Sequence, residues 1–244
     1  MESAVETGKA ENIHDLRIEL KKTNASMALI SNDSSKSKIK RIVRPIRKIF
    51  KIAGQWWSCQ IEEEKLKKYR KHTIVADYLI ALNQKKDQSI SALRSCLDHK
   101  PIKDLKRSIS KINLRTSSYS KNKLNKFFNR LQDDIHSFLL TEEWTDQKLH
   151  QIRRYIKQIR YLKKQFHFRS GGGKGWKSLE NCIGDWHDLV TLVHHLKKFY
   201  RSGGYSKDQI LSLKKIKVPI QKSISEYRHK ILTAIENQKK LIEF

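Results

Sequence analysis

The sequence predicts an all-α protein built by duplication of a helical unit. Three observations lead there. Lys/Ile/Leu-rich runs recur at helical spacing while β-type alternation is scarce. Only three Pro and nine Gly occur in 244 residues. A basic motif and a Gly/Trp motif each occur twice, in the same order.

Periodicity and turn chemistry place helices at roughly 9–31, 37–70, 72–97, 101–115, 120–141, 145–168, 174–200 and 208–242. Asn32 to Ser35 reads as a polar loop. Pro45 calls for a kink or a later start in the second helix, and Gly54 for a break. Asp98-His99-Lys100-Pro101 ends one helix and opens the next. Thr141 or Thr145 is suited to cap the helix near 145, and Ser170 to Gly175 reads as a flexible linker. The first helical half spans about 11–115 and the second about 120–244. Residues 1–10 are acidic and small and lack an apolar core, so they read as a disordered tail rather than a signal peptide.

Charge narrows the function. Lys and Arg number 52 against 25 Asp and Glu, a formal net charge of +27. Such an excess repels itself in a compact chain unless a polyanion neutralises it. The partner classes are therefore nucleic acid, an anionic membrane surface or a phosphate polymer. At 38% hydrophobic residues the chain is too apolar for a wholly disordered basic tail. No apolar run is long enough to span a bilayer. Cys59, Cys96 and Cys182 are odd in number and far apart, without a CxxC pair. They read as small core thiols in a reducing compartment, which points to the cytoplasm.

The repeat carries the charge. Ile13-His14-Asp15-Leu16-Arg17-Ile18-Glu19-Leu20-Lys21 returns 136 residues later as Leu149-His150-Gln151-Ile152-Arg153-Arg154-Tyr155-Ile156-Lys157. Ala53-Gly54-Gln55-Trp56-Trp57 is echoed by Ile183-Gly184-Asp185-Trp186-His187. On a helix, His150, Arg153, Lys157, Arg160 and Lys164 fall within about 80° of one another, beside an apolar arc of Leu149, Ile152, Ile156 and Ile159. His14, Arg17 and Lys21 share a face in the same way. A third strip is Arg44, Arg47 and Lys51 (with Lys40), beside Ile42, Ile46 and Ile49. The ordinary fate of such strips is a solvated surface. These contain no Asp or Glu at the spacings where exposed helices place them, and like charges one turn apart repel. A bound anion would relieve that repulsion.

The doubled His-x-Leu/Ile-Arg-x-x-Leu/Ile-Lys segments, with Leu179-Glu180-Asn181-Cys182-Ile183-Gly184-Asp185-Trp186-His187-Asp188-Leu189, resemble the CHAD family, the conserved histidine α-helical domain. The resemblance runs from about Ile13 to the C-terminus. It implies two antiparallel four-helix bundles related by pseudo-twofold symmetry, with basic residues meeting in a central cavity. It implies non-catalytic binding of inorganic polyphosphate and association with polyphosphate granules. By position the anion contacts include His14, Arg17, Lys21, Lys22, His150, Arg153, Lys157, Arg160 and Lys164; Arg44, Arg47, Lys51 and His187 join them as charged neighbours. The first copy departs from the Gly-x-x-Arg/His-Asp pattern at Trp57-Ser58, which puts the first-half site in more doubt than the second. Several family Arg positions are Lys here, and Lys meets phosphate as a point charge without the Arg fork.

Other signals give less. Gly171 to Ser178 resembles a phosphate loop but has Trp176 where that loop needs Gly, and no strand precedes it. Glu62-Glu63-Glu64-Lys65 lacks the E-x-E-x-K spacing of the triphosphate-hydrolysing domain fused to some relatives. His187, His194 and Arg201 share a face at seven-residue intervals, a spacing unsuited to a metal. The five Trp read as core fillers, with Trp56 and Trp186 matched across the repeat. No catalytic constellation, metal site or cofactor is expected. The rival reading is a helical protein binding nucleic-acid backbones. A third is docking on anionic lipid or acidic protein surfaces.

Overall fold

A computed structural model describes residues 7–31, 36–97, 100–140, 143–168, 173–203 and 205–240. Among these residues the chain is all-helical. Eight α-helices follow in order: α1 (Ala10–Ser31), α2 (Lys36–Leu66), α3 (Thr73–Leu97), α4 (Lys100–Ser117), α5 (Lys121–Leu139), α6 (Asp146–Gln165), α7 (Gly173–Ser202) and α8 (Lys207–Lys240). A short 3-10 turn, Lys67–Tyr69, follows α2. Residues 1–6 of the expected 1–10 tail, the loop at 32–35 and Ser170 to Gly172 of the linker lie outside the described residues.

The ends obey local chemistry. Thr145 caps α6: its Oγ1 accepts the Lys148 N–H at 3.3 Å, while Thr141 lies outside the described residues. Ser120 caps α5 in the same way. Ser206 and Gln209 exchange bonds across the start of α8 as a capping box. Two breaker expectations are corrected. α2 continues as one helix through Gly54, because the cost of a glycine in a helix, about 1 kcal/mol, is small beside the burial of Ile49, Ala53 and Trp56 around it. α7 already begins at Gly173, so Lys174 and Gly175 are helical.

The chain forms two compact units with interleaved segments. The first takes 1–61, 82–129 and 161–168; the second takes 62–81, 130–160 and 169–244. The first unit's core gathers Ile13, Leu16 and Leu20 of α1, Ile46, Ile49, Ala53 and Trp56 of α2, Leu93 of α3 and Ile112 of α4. The second unit's core gathers Ile135 and Leu139 of α5, Leu149, Ile152 and Ile156 of α6, Leu179, Ile183 and Trp186 of α7, and Ile231 and Ile235 of α8.

The repeat reappears in these lists. Ile13, Leu16 and Leu20 have the places that Leu149, Ile152 and Ile156 have in the other unit. Ile49, Ala53 and Trp56 match Leu179, Ile183 and Trp186. Each unit thus pairs a His/Arg helix with a Gly/Trp helix through one recurrent apolar seam. Cys59 is buried and Cys96 and Cys182 are half-buried, all as free thiols.

Trp186 is 2% exposed. Trp186→Ala is expected to cost about 3–5 kcal/mol of stability in chemical denaturation. Ile80→Ala, at an exposed position, is expected to shift it by less than about 0.5 kcal/mol.

Candidate anion-binding site

The second unit builds its basic cluster where α6 crosses α7. Burial of Leu149, Ile152 and Ile156 orients α6, and this turns Arg153 onto Gly184 of α7. A Cβ at Gly184 would lie 2.8 Å from Arg153 Nη2, closer than real Cβ contacts. Glycine therefore makes the flat spot on which the guanidinium rests. Arg153 Nε is buried there with no hydrogen-bond partner among the described residues. One turn earlier on α6, His150 meets His187 of α7, ring centroids 5.1 Å apart.

The first unit repeats the arrangement. Arg17 lies over Gly54 of α2, where a Cβ would come within 3.1 Å of Nη1. His14 meets Trp57, ring centroids 4.8 Å apart. The guanidinium carbon of Arg17 is also 5.7 Å from the Phe50 ring centroid and 6.0 Å from that of Trp57. His14 and His150, Arg17 and Arg153, Gly54 and Gly184, and Trp57 and His187 are thus equivalent pairs. Each histidine sits one turn inside its helix: helical bonding has begun at the residue before it, from Ile13 N–H to Lys9 O and from Leu149 N–H to Thr145 O. The open N–H groups of the helix ends are therefore not at these histidines.

α6 carries one acid, Asp146, a turn before His150 and paired with Arg228, and α7 supplies another. Glu180 is buried at 3% exposure. Its carboxylate is 3.2 Å from Arg160 Nε and 3.6 Å from Lys157 Nζ. Burial, followed by the charge of Arg153, lowers the Lys157 ammonium to a pKa of about 8 against the opposing pull of Glu180. Burial also lowers His150, helped by His187 and Arg153. His187 is lowered mainly by burial, against the opposing charge of Asp188. Burial raises the Asp188 carboxyl, against Arg153 and Lys65. The cluster thus holds cations where water is scarce, and charges there act more strongly than in bulk water.

The other expected contacts lie farther out. Lys21 continues the His14–Arg17 face, half-buried. Lys22 is turned off that line and pairs with Glu19. It also lines a cavity of about 380 Å³ with Thr23, Ser26, Ile109 and Gln165. Arg44, Arg47 and Lys51 are exposed on α2 on the turns before Gly54. Lys164 is exposed and belongs to the first unit, whereas the rest of its strip belongs to the second. Sequence reasoning missed Glu180 and Asp188 as counter-charges, although both stand within the quoted Gly184 segment. It also missed Trp57 as the ring facing His14. Among the described residues no three His, Cys, Asp or Glu side chains gather as a metal-ligand set.

A second buried acid sits apart from this cluster. Glu62 accepts a hydrogen bond from the Tyr78 hydroxyl and meets His195 Nδ1 at 2.8 Å. The acidic run at 62–64 thus contributes a satisfied core carboxylate to the second unit.

The CHAD domain model matches residues 2–197. The chain belongs to the CHAD domain family. Both His/Arg segments and both Gly/Trp segments fall inside the match, whereas α8 lies beyond it. No curated protein and no solved structure matches the chain.

In this CHAD domain the glycine contact separates stability from anion binding. Gly184→Ala removes a helix-weakening residue, and the atom it crowds is the far end of a flexible side chain. The melting temperature is therefore expected to hold or rise, while polyanion affinity falls several-fold as the Arg153 guanidinium is displaced. Calorimetry and a binding titration on the same preparation check both.

Proposed function

We propose that this CHAD domain binds inorganic polyphosphate, without turnover, through the His14/Arg17 and His150/Arg153 clusters. The observation that carries the reading is the double occurrence of one geometry: a half-buried guanidinium on a glycine, with an exposed histidine against a second ring one turn before it, in a chain of formal charge +27. Half-buried cations repel one another, and a multiply charged chain neutralises several at once. Cations at successive helical turns, about 5 Å apart, offer a phosphate polymer evenly spaced charge without any need for bases. Lys21, Lys157, Arg160 and Lys164 extend the contacts along each helix, and Arg44, Arg47 and Lys51 supply further attraction from α2. The finer architecture implied by the family, two four-helix bundles about a pseudo-twofold axis with a shared basic cavity, belongs to this proposal. Its support is the equivalence of the two clusters. Residence in the cytoplasm, where polyphosphate granules would be the partner, goes with the same reading. Among the described residues no helix is long and apolar enough to cross a membrane.

Competition at moderate salt tests the substrate class. Long-chain polyphosphate is expected to displace duplex DNA and RNA at equal phosphate concentration, and its affinity to fall steeply with salt through counter-ion release. Equal competition by nucleic acid would return the backbone-binding alternative. Phosphate release on prolonged incubation is expected to stay at background; sustained release would refute the non-catalytic part.

The lowered pKa values set the pH dependence. A bound polyanion favours the charged form of Lys157, His150 and His187 and raises their pKa values, so binding takes up protons wherever the free groups are deprotonated. Affinity should therefore fall as pH rises above about 8, where free Lys157 loses its proton. It should also strengthen as pH drops below the ordinary histidine value of 6.5. Isothermal titration in buffers of differing ionisation heat reads the proton uptake directly.

A further inference from the structure

The two clusters share a geometry but differ in their acids. Residue for residue, the α7 segment of the second unit follows the α2 segment of the first by 130 positions, the interval between Gly54 and Gly184. On this register Glu180 stands where the first copy has Phe50, Asp185 where it has Gln55, and Asp188 where it has Ser58. Phe50 packs against the edge of the first unit's core with Arg17 over its ring. Glu180 is buried more deeply, yet carries a charge and spends it on Lys157 and Arg160.

We propose that Glu180 is a built-in counter-anion of the second cluster: it holds Lys157 and Arg160 in the free protein and weakens phosphate binding there, where the first copy has the uncharged Phe50. This rests on the phosphate-binding reading above. The carboxylate is fixed. Its side chain is 4% exposed, enclosed within the fold beside the two cations, so an arriving phosphate meets it in place and cannot simply push it into water. A phosphate oxygen approaching Lys157 or Arg160 meets a negative charge one contact away, and the Coulomb gain at those two cations is largely spent. Asp188, half-buried beside Arg153 and His187, acts in the same sense. The first cluster has an aromatic ring and two neutral polar residues at the three corresponding positions. The departure at Trp57-Ser58, which makes the first copy look degenerate as a motif, therefore removes an acid from the vicinity of the anion. At these positions fidelity to the motif therefore brings acids close to the cations of the second cluster.

The test uses the full chain and inorganic polyphosphate of one chain length, at pH 6.5 and fixed ionic strength, so that Lys157 stays protonated. Wild type, Glu180→Gln, Phe50→Glu and Phe50→Gln are compared, each checked for native helicity and cooperative melting. Glu180→Gln is expected to bind about tenfold tighter, from removal of one near charge, with a salt slope steeper by about one. Phe50→Glu is expected to bind about tenfold more weakly than Phe50→Gln, which carries the same loss of the ring without the charge. A folded Glu180→Gln that binds no tighter than wild type overturns the proposal, as does equal binding by the two Phe50 variants. A readout without ligand stands beside these: the Lys157 ammonium, followed by heteronuclear NMR, should titrate at lower pH in Glu180→Gln, and an unmoved titration overturns the counter-anion role. If no form binds polyphosphate while the Lys157 titration still moves, the phosphate reading fails and the counter-anion role stands.

Discussion

The contact on which each cluster depends is a guanidinium resting on a glycine of the neighbouring helix. A Cβ at Gly184 would force the Arg153 guanidinium to shift, and one at Gly54 would press on that of Arg17, so glycine at both positions lets the arginine lie close. The missing methyl lets the arginine lie across the helix instead of standing out into water. That placement holds the charge at the margin of an apolar seam whose members, Leu16, Ala53 and Trp56 in one unit and Ile152, Ile183 and Trp186 in the other, are buried. Everything else in the cluster takes its position from this seam. The histidine is one turn back, stacked on the ring three residues beyond the glycine. The lysine is one turn forward.

A cation so placed is costly. Desolvation disfavours its charge, and its neighbours on the same helix are also cationic. Lys157 registers that cost as a pKa drawn down to about 8. The second unit relieves part of it internally through Glu180, and it treats buried carboxylates elsewhere with the same care. Glu62, 2% exposed, has both oxygens engaged by Tyr78 and His195. Among the described residues the two buried acids, Glu62 and Glu180, are thus either hydrogen-bonded or set against cations, as burial of charge requires.

Much of the fold was legible in the sequence because its signals are local. Periodicity gave eight helices within a few residues of those observed, and the doubled motifs gave the equivalence of Trp56 with Trp186 and of Arg17 with Arg153. Breakers misled where tertiary burial outweighs propensity: α2 runs through Gly54 because the glycine is needed for its neighbour across the seam, not for a turn. The counter-charges were hidden for a related reason. A strip inspected along one helix shows only its own acids at i,i+3 and i,i+4, whereas Glu180 reaches Lys157 and Arg160 from another helix. Similarly, Lys22 shares the basic strip's residue type but not its direction, since a single step in sequence rotates a side chain by about 100°.

The aromatic residues bear on which polyanion suits such a surface. Bases are held by stacking on exposed rings, and each stacked base adds substantially to affinity. Here Trp56 and Trp186 are 5% and 2% exposed, committed to the two cores. Trp57 is half-buried and turned to His14 and Arg17. Trp144 and Trp176 pack against the second unit's core. The rings near the basic clusters therefore serve to hold histidine and arginine in place rather than to offer free faces. A ligand of the clusters must then be recognised by charge and spacing. A phosphate polymer supplies both along its whole length, whereas a nucleic acid brings bases for which these tryptophans leave little platform. On this argument the aromatic surface that stabilises each helix pair is the surface that base stacking would have required.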